Sequence, residues 1–143
     1  MKTTLLTIVI SASLAVAMVY AQRINSADEY QQAMKTVDGA MKAVAKTVGA
    51  GDYPGAKVPL VLARQTLAAS APFWSRAKVD AAVKLTKDAV QKLDDLDAAL
   101  SAPSVDVVSI KKTLSQVSDA CANCHAEYRD GDNKSGYRIK QRS

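Results

Sequence analysis

Residues 107–128 read VVSIKKTLSQVSDACANCHAEY, and the spacing of apolar side chains along this stretch decides the fold. Val107, Ile110, Leu114, Val117, Cys121, Cys124 and Tyr128 recur at alternating intervals of three and four. That rhythm is the seam of an amphipathic helix packed lengthwise on its neighbours. The same rhythm occurs far upstream, in Ala27, Tyr30, Met34, Val37, Met41, Val44 and Val48. Ser26 and Glu29 form a capping box in front of this first seam, and Gly49-Ala50-Gly51 with Tyr53-Pro54-Gly55 closes it. Between the two lie a segment from Val58 to Ala71 and a longer one through Val79, Val83, Thr86, Val90, Leu93, Leu96 and Leu100. Pro59 is expected in the first turn of the second helix, and Pro72-Phe73-Trp74 is expected to break it. Ala102-Pro103-Ser104 ends the third, with Ser104 available to cap the fourth. No segment alternates like a strand. Four amphipathic helices on short connections predict an all-α, antiparallel, up-down-up-down four-helix bundle. In such a bundle the first and last helices are also neighbours.

Composition bounds the rest. The chain has 143 residues, enough for one domain, with 48% apolar and only 5% aromatic residues. Its core must therefore be made of Ala, Val and Leu. Met1-Lys2 followed by the uncharged run Leu5 to Val19 and by Val19-Tyr20-Ala21 reads as a secretory signal peptide, residues 1–21, cleaved after Ala21. The run falls short of the ~20 residues that span a bilayer, so no stable membrane insertion is expected after cleavage. The helical domain is expected over 22–130, with a basic, flexible tail over 131–143.

The formal net charge is +5, and removing the leader takes away Lys2 and no acid. Most of what remains belongs to Arg129, Lys134, Arg138, Lys140 and Arg142, set against Asp130 and Asp132. The folded part is thus nearly neutral. A basic tail can bind anionic polymers, but an exported chain seldom meets nucleic acid, and no nucleic-acid partner is expected.

The two cysteines and the single histidine all fall in Cys121-Ala122-Asn123-Cys124-His125. This C-x-x-C-H pattern is the attachment signature of c-type haem. Two thiols add across two vinyl groups and fix the porphyrin edge along a helix, while the adjacent imidazole ligates iron. At spacings of three and four, Cys121, Cys124 and His125 share one helix face. A zinc site would lack a fourth Cys or His ligand. A redox dithiol normally sits at a helix start beside a strand, whereas this pair comes late in a helix. One covalently attached haem per chain is the expected cofactor. The export signal agrees with it, because bacterial haem attachment takes place outside the cytoplasm.

With no second histidine, the opposite face of the iron calls for a thioether. Met34 and Met41 both sit on the first seam. His125 is about 7 Å from the end of the fourth helix and Met34 about 12 Å from the start of the first, at ~1.5 Å rise per residue. Those two ends adjoin, so Met34 lies at the level of His125; Met41, a further ~10 Å along, is read as core filling.

This order of elements, with C-x-x-C-H near the end of the last of four helices, resembles the cytochrome c-prime family of class II c-type cytochromes. The string Cys124-His125-Ala126-Glu127-Tyr128-Arg129 is similar to the family's C-H-x-x-Y-R ending. The resemblance implies that Arg129 lies beside the proximal His125, near the haem. It also implies two possible chemistries. High-spin members carry a non-ligating apolar residue on the distal side and bind nitric oxide or carbon monoxide; low-spin members carry methionine there and transfer electrons. Met34 falls at that position. The arginine that many members carry one turn earlier is replaced by Tyr30.

The expected function is therefore that of an exported, periplasmic mono-haem cytochrome carrying single electrons between redox partner proteins, with His125 and Met34 as axial ligands. The alternative is a five-coordinate binder of diatomic gases. No catalytic base or nucleophile stands out, so no enzyme activity is expected. A homodimer is compatible with the bundle, although no exposed seam demands it. A bundle without haem, acting only in protein interactions, would show no haem-staining band on a denaturing gel.

Overall fold

The structure, a computed structural model, describes residues 24–132 and 134–140. The leader expected over 1–21 lies outside these residues. Four helices follow in order: α1 (Ala27–Gly49), α2 (Tyr53–Arg76), α3 (Asp80–Leu100) and α4 (Val107–Tyr128). They form the all-α four-helix bundle that the apolar spacing predicts.

The capping box in front of α1 is made as its residues require. Glu29 donates its backbone N–H to Ser26 Oγ at 3.2 Å, and Ser26 donates its own N–H to Glu29 Oε2 at 3.1 Å. Asp52 starts α2 by accepting from the Gly55 N–H at 2.9 Å. The fourth helix starts later than Ser104. Asp106 Oδ1 accepts from the N–H groups of Val108 and Ser109 at 3.0 and 3.2 Å. Val105 and Val107 stay exposed, so burial does not extend the helix backwards.

The second helix corrects the sequence reading twice. Pro59 lies beyond the first turn of α2, and Pro72 does not end it; the helix runs on to Arg76. Each proline removes one backbone hydrogen bond, and an interior proline costs about 3 kcal/mol. The last turn is retained because it carries Phe73 and Trp74, and Trp74 is only 3% exposed. Burying an indole offsets a large part of that cost.

The core is built from the small and branched side chains that the composition left available. Val44, Leu60, Leu93, Leu96, Ile110 and Val117 are its largest fully buried members, interleaved with Ala40, Ala56, Ala63, Ala89 and Ala120. Arg64 on α2 clamps Asp94 on α3 through two bonds of 2.8 and 3.1 Å. A second cluster (Ile24, Tyr30, Trp74, Ala82 and Tyr128) occupies the end of the bundle where α1 begins and α4 finishes.

Helix contacts are uneven around the bundle. α1 packs along α2, α2 along α3 and α3 along α4, whereas the α1 and α4 backbones stand apart. Met34 and Met41, on the α1 seam, are correspondingly only half-buried, while Val37 and Val44 beside them are buried.

The sequence reading ends order near Asp130 and expects a flexible tail; the structure differs. Arg129–Asp132 (β1) and Gly136–Ile139 (β2) pair as an antiparallel hairpin, with Arg129 opposite Ile139 and Asp132 opposite Gly136. Asp132 Oδ1 organises the turn by accepting from the N–H groups of Lys134 and Ser135 at 2.9 and 2.7 Å. Gly131 has φ 84°, and a Cβ there would stand 2.0 Å from the Gly136 carbonyl oxygen, so only glycine fits. The Lys140 N–H returns to the Tyr128 carbonyl at 2.8 Å, folding the hairpin back against the end of α4. Ile139 packs on the Tyr30, Trp74 and Tyr128 cluster.

Candidate haem site

Cys121, Cys124 and His125 lie in the last two turns of α4, and all three are half-buried. The two cysteines form no disulfide with each other. They face the gap between α1 and α4, which holds two adjoining cavities of about 110 and 320 Å³. The smaller is lined by Cys121, Cys124 and His125 from α4, by Met34, Val37 and Met41 from α1, and by Leu67, Leu85 and Ala89 from the helices behind. Its surface is almost wholly apolar. The larger opens beside it and is lined by Cys124 and His125, by Tyr30, Met34, Lys35 and Asp38, and by hairpin residues including Tyr137 and Arg138. Met34 and His125 line both cavities from opposite helices; Met41 and Cys121 line only the deeper one.

Burial sets the protonation of these groups. It pushes both cysteine thiols above their usual range, so they remain protonated at neutral pH. It lowers His125, helped by the neighbouring Arg129 cation and opposed by Asp38. The imidazole is therefore neutral at neutral pH, the form with a nitrogen lone pair free for a metal.

Behind the gap stands an aromatic group. Trp74 donates its indole N–H to the Tyr30 hydroxyl at 3.0 Å, with ring centroids 5.2 Å apart. Trp74 also lies 5.1 Å from Tyr128, and Phe73 lies 4.9 Å from Tyr30. Burial pushes the Tyr30 phenol up from 10.0 to about 12. The folded state therefore holds this proton more tightly than the unfolded chain does. Its contribution to stability is present below pH 10 and is lost as pH rises towards 12. A loss of about 2–3 kcal/mol is expected over that window. Tyr30→Phe should remove the corresponding slope in denaturation titrations, and an unchanged slope would assign the loss to other groups.

Arg129, placed near the proximal side by resemblance, lines the larger cavity together with His125 and lies over the Tyr137 ring, 4.2 Å from its centroid. The sequence reading missed Trp74, Asp38 and the β2 residues as parts of the site. Trp74 stood out only as a helix breaker. The hairpin segments RDGD and GYRI are too short and too polar to show alternation, although the run Asp130-Gly131-Asp132-Asn133-Lys134-Ser135-Gly136 between them is rich in turn residues.

These residues fit a covalently attached haem. Two thiols and an imidazole share one helix face, and that face borders an apolar slot between two helices that do not close on each other. Such an arrangement defines a four-helix c-type haem protein. The sequence model of the family described as Cytochrome C' matches residues 27–129, and the chain belongs to this family. Neither the curated proteins nor the solved structures yield a match.

Proposed function

We propose that the chain is an exported one-electron carrier, acting in the periplasm between redox proteins and not as an enzyme, with His125 and Met34 as the axial ligands of one haem. The observation that carries this reading is the pairing of Met34 with His125 across the same two cavities. Met41 lines only the deeper cavity, beside Cys121, which favours Met34. Haem held by Cys121, Cys124, His125 and Met34 would supply an iron able to take up and release one electron, at a potential that methionine ligation tends to raise. Met34 and His125 would hold the iron from the interiors of α1 and α4. Val37, Leu67, Leu85 and Ala89 give the deeper cavity its apolar lining, and the hairpin lines the larger cavity beside it.

The ferrous optical spectrum with and without carbon monoxide tests this. A low-spin spectrum indifferent to carbon monoxide is expected from the native chain, and Met34→Ala should turn it into a high-spin spectrum that shifts with the gas. A native spectrum that already shifts would replace the carrier with a gas-binding protein. A Met34→Ala spectrum identical to the native one would overturn the ligand assignment.

A further inference from the structure

The larger cavity has a charged rim that the thiols and axial ligands do not use. Three cations line it from three elements: Lys35 on α1, Arg129 on β1 and Arg138 on β2. Its acids are already engaged. Asp38 pairs with Lys42 at 2.6 Å, Asp130 next to the rim pairs with Arg138 at 2.8 Å, and Asp132 is occupied by the turn amides. Lys35 and Arg129 have no carboxylate partner among the described residues. The rim's three cations outnumber its two acids, Asp38 and Asp132, and Lys35 and Arg129 are held in no ion pair there.

Its place in the site gives that charge a ligand. The deeper cavity, beside both thiols, is apolar; the larger one adjoins Cys124 and His125 but not Cys121. A haem tethered through its vinyl edge places its hydrocarbon body against apolar side chains, and its two propionates call for cations. We infer that Lys35, Arg129 and Arg138 form the carboxylate-binding end of the site and hold the haem propionates. Arg138 lies beyond the family-matched segment 27–129, so the C-terminal hairpin adds a contact of its own to the bundle. Asp130 fixes the Arg138 guanidinium from one side, and an arginine keeps further N–H donors for a second carboxylate. The inference rests on covalent haem at Cys121 and Cys124.

Resonance Raman spectroscopy of the haem-loaded protein tests it, because the propionate bending band responds to hydrogen bonds at those carboxylates. Arg138→Gln and Lys35→Gln are each expected to shift the band to lower wavenumber and to lower the midpoint potential. Lys134→Gln, a charge loss on the turn away from the rim, should leave the band in place. Lys35 is on an exposed helix face, so its variant reports even where the hairpin variant misfolds. A band unmoved in Lys35→Gln and in any folded Arg138→Gln, with haem still attached, overturns this inference alone. A native chain without attached haem overturns both this inference and the haem reading. Inorganic phosphate that alters the native spectrum while the variants leave the band unmoved would assign the rim to a free anion and overturn it as well.

Discussion

Replacing Cys121 and Cys124 together with serine is expected to abolish covalent haem altogether, leaving no haem-staining band on a denaturing gel. Serine keeps the size of the side chain and its place on α4, but an ether from a hydroxyl does not form where a thiol adds to a vinyl group. The two thiols are separated by one helical turn and are both half-buried against the α1–α4 gap. Each single variant retains one attachment point and should keep a weaker band. A band of native intensity in the double variant would show that attachment does not use these thiols. The double variant should also unfold at a lower temperature, because what binds only the folded state stabilises it.

Trp74→Ala is the second large effect. The indole is 3% exposed and packs against Tyr30, Phe73 and Tyr128, so its removal leaves a cavity at the end of the bundle. Large-to-small substitutions of this kind cost about 3–5 kcal/mol. Against a total stability of about 5–15 kcal/mol, that is a substantial fraction. Truncation also removes the donor to the Tyr30 hydroxyl and the residue that compensates for Pro72 inside α2. Trp74→Phe restores most of the apolar area but not the N–H, and should cost about 1 kcal/mol for the lost hydrogen bond beyond the repacking. Urea unfolding of both variants measures the difference. A Trp74→Ala loss below about 1 kcal/mol would mean that the last turn of α2 does not depend on this packing.

How legible these features were follows from the range of the interactions behind them. The capping box at Ser26 and Glu29 was readable because both partners lie within one turn. The seams of α1 and α4 were readable because helical periodicity is local. The exposed ends Ala27 and Val107 show where a seam continues in sequence but finds nothing to pack on. Pro72 was misread because its cost is local and its compensation, the burial of Trp74 against α1 and α4, is not. The hairpin escaped because it is held by the Asp132 turn, by the return bond from Lys140 to Tyr128 and by Ile139 on the aromatic cluster. None of these leaves a periodic trace in so short a segment.

The sequence alone determined the number of helices, the face of α4 that carries Cys121, Cys124 and His125, and the choice of Met34 over Met41 as the methionine level with His125. Each depends on spacing along single helices, where helical geometry does the placing. Only the tertiary structure decided that α1 and α4 stand apart along an apolar slot, and that the basic tail folds back to bring Arg138 beside Lys35 and Arg129. Those facts are set by how distant segments bury their surfaces against one another, and spacing within a single segment carries no information about them.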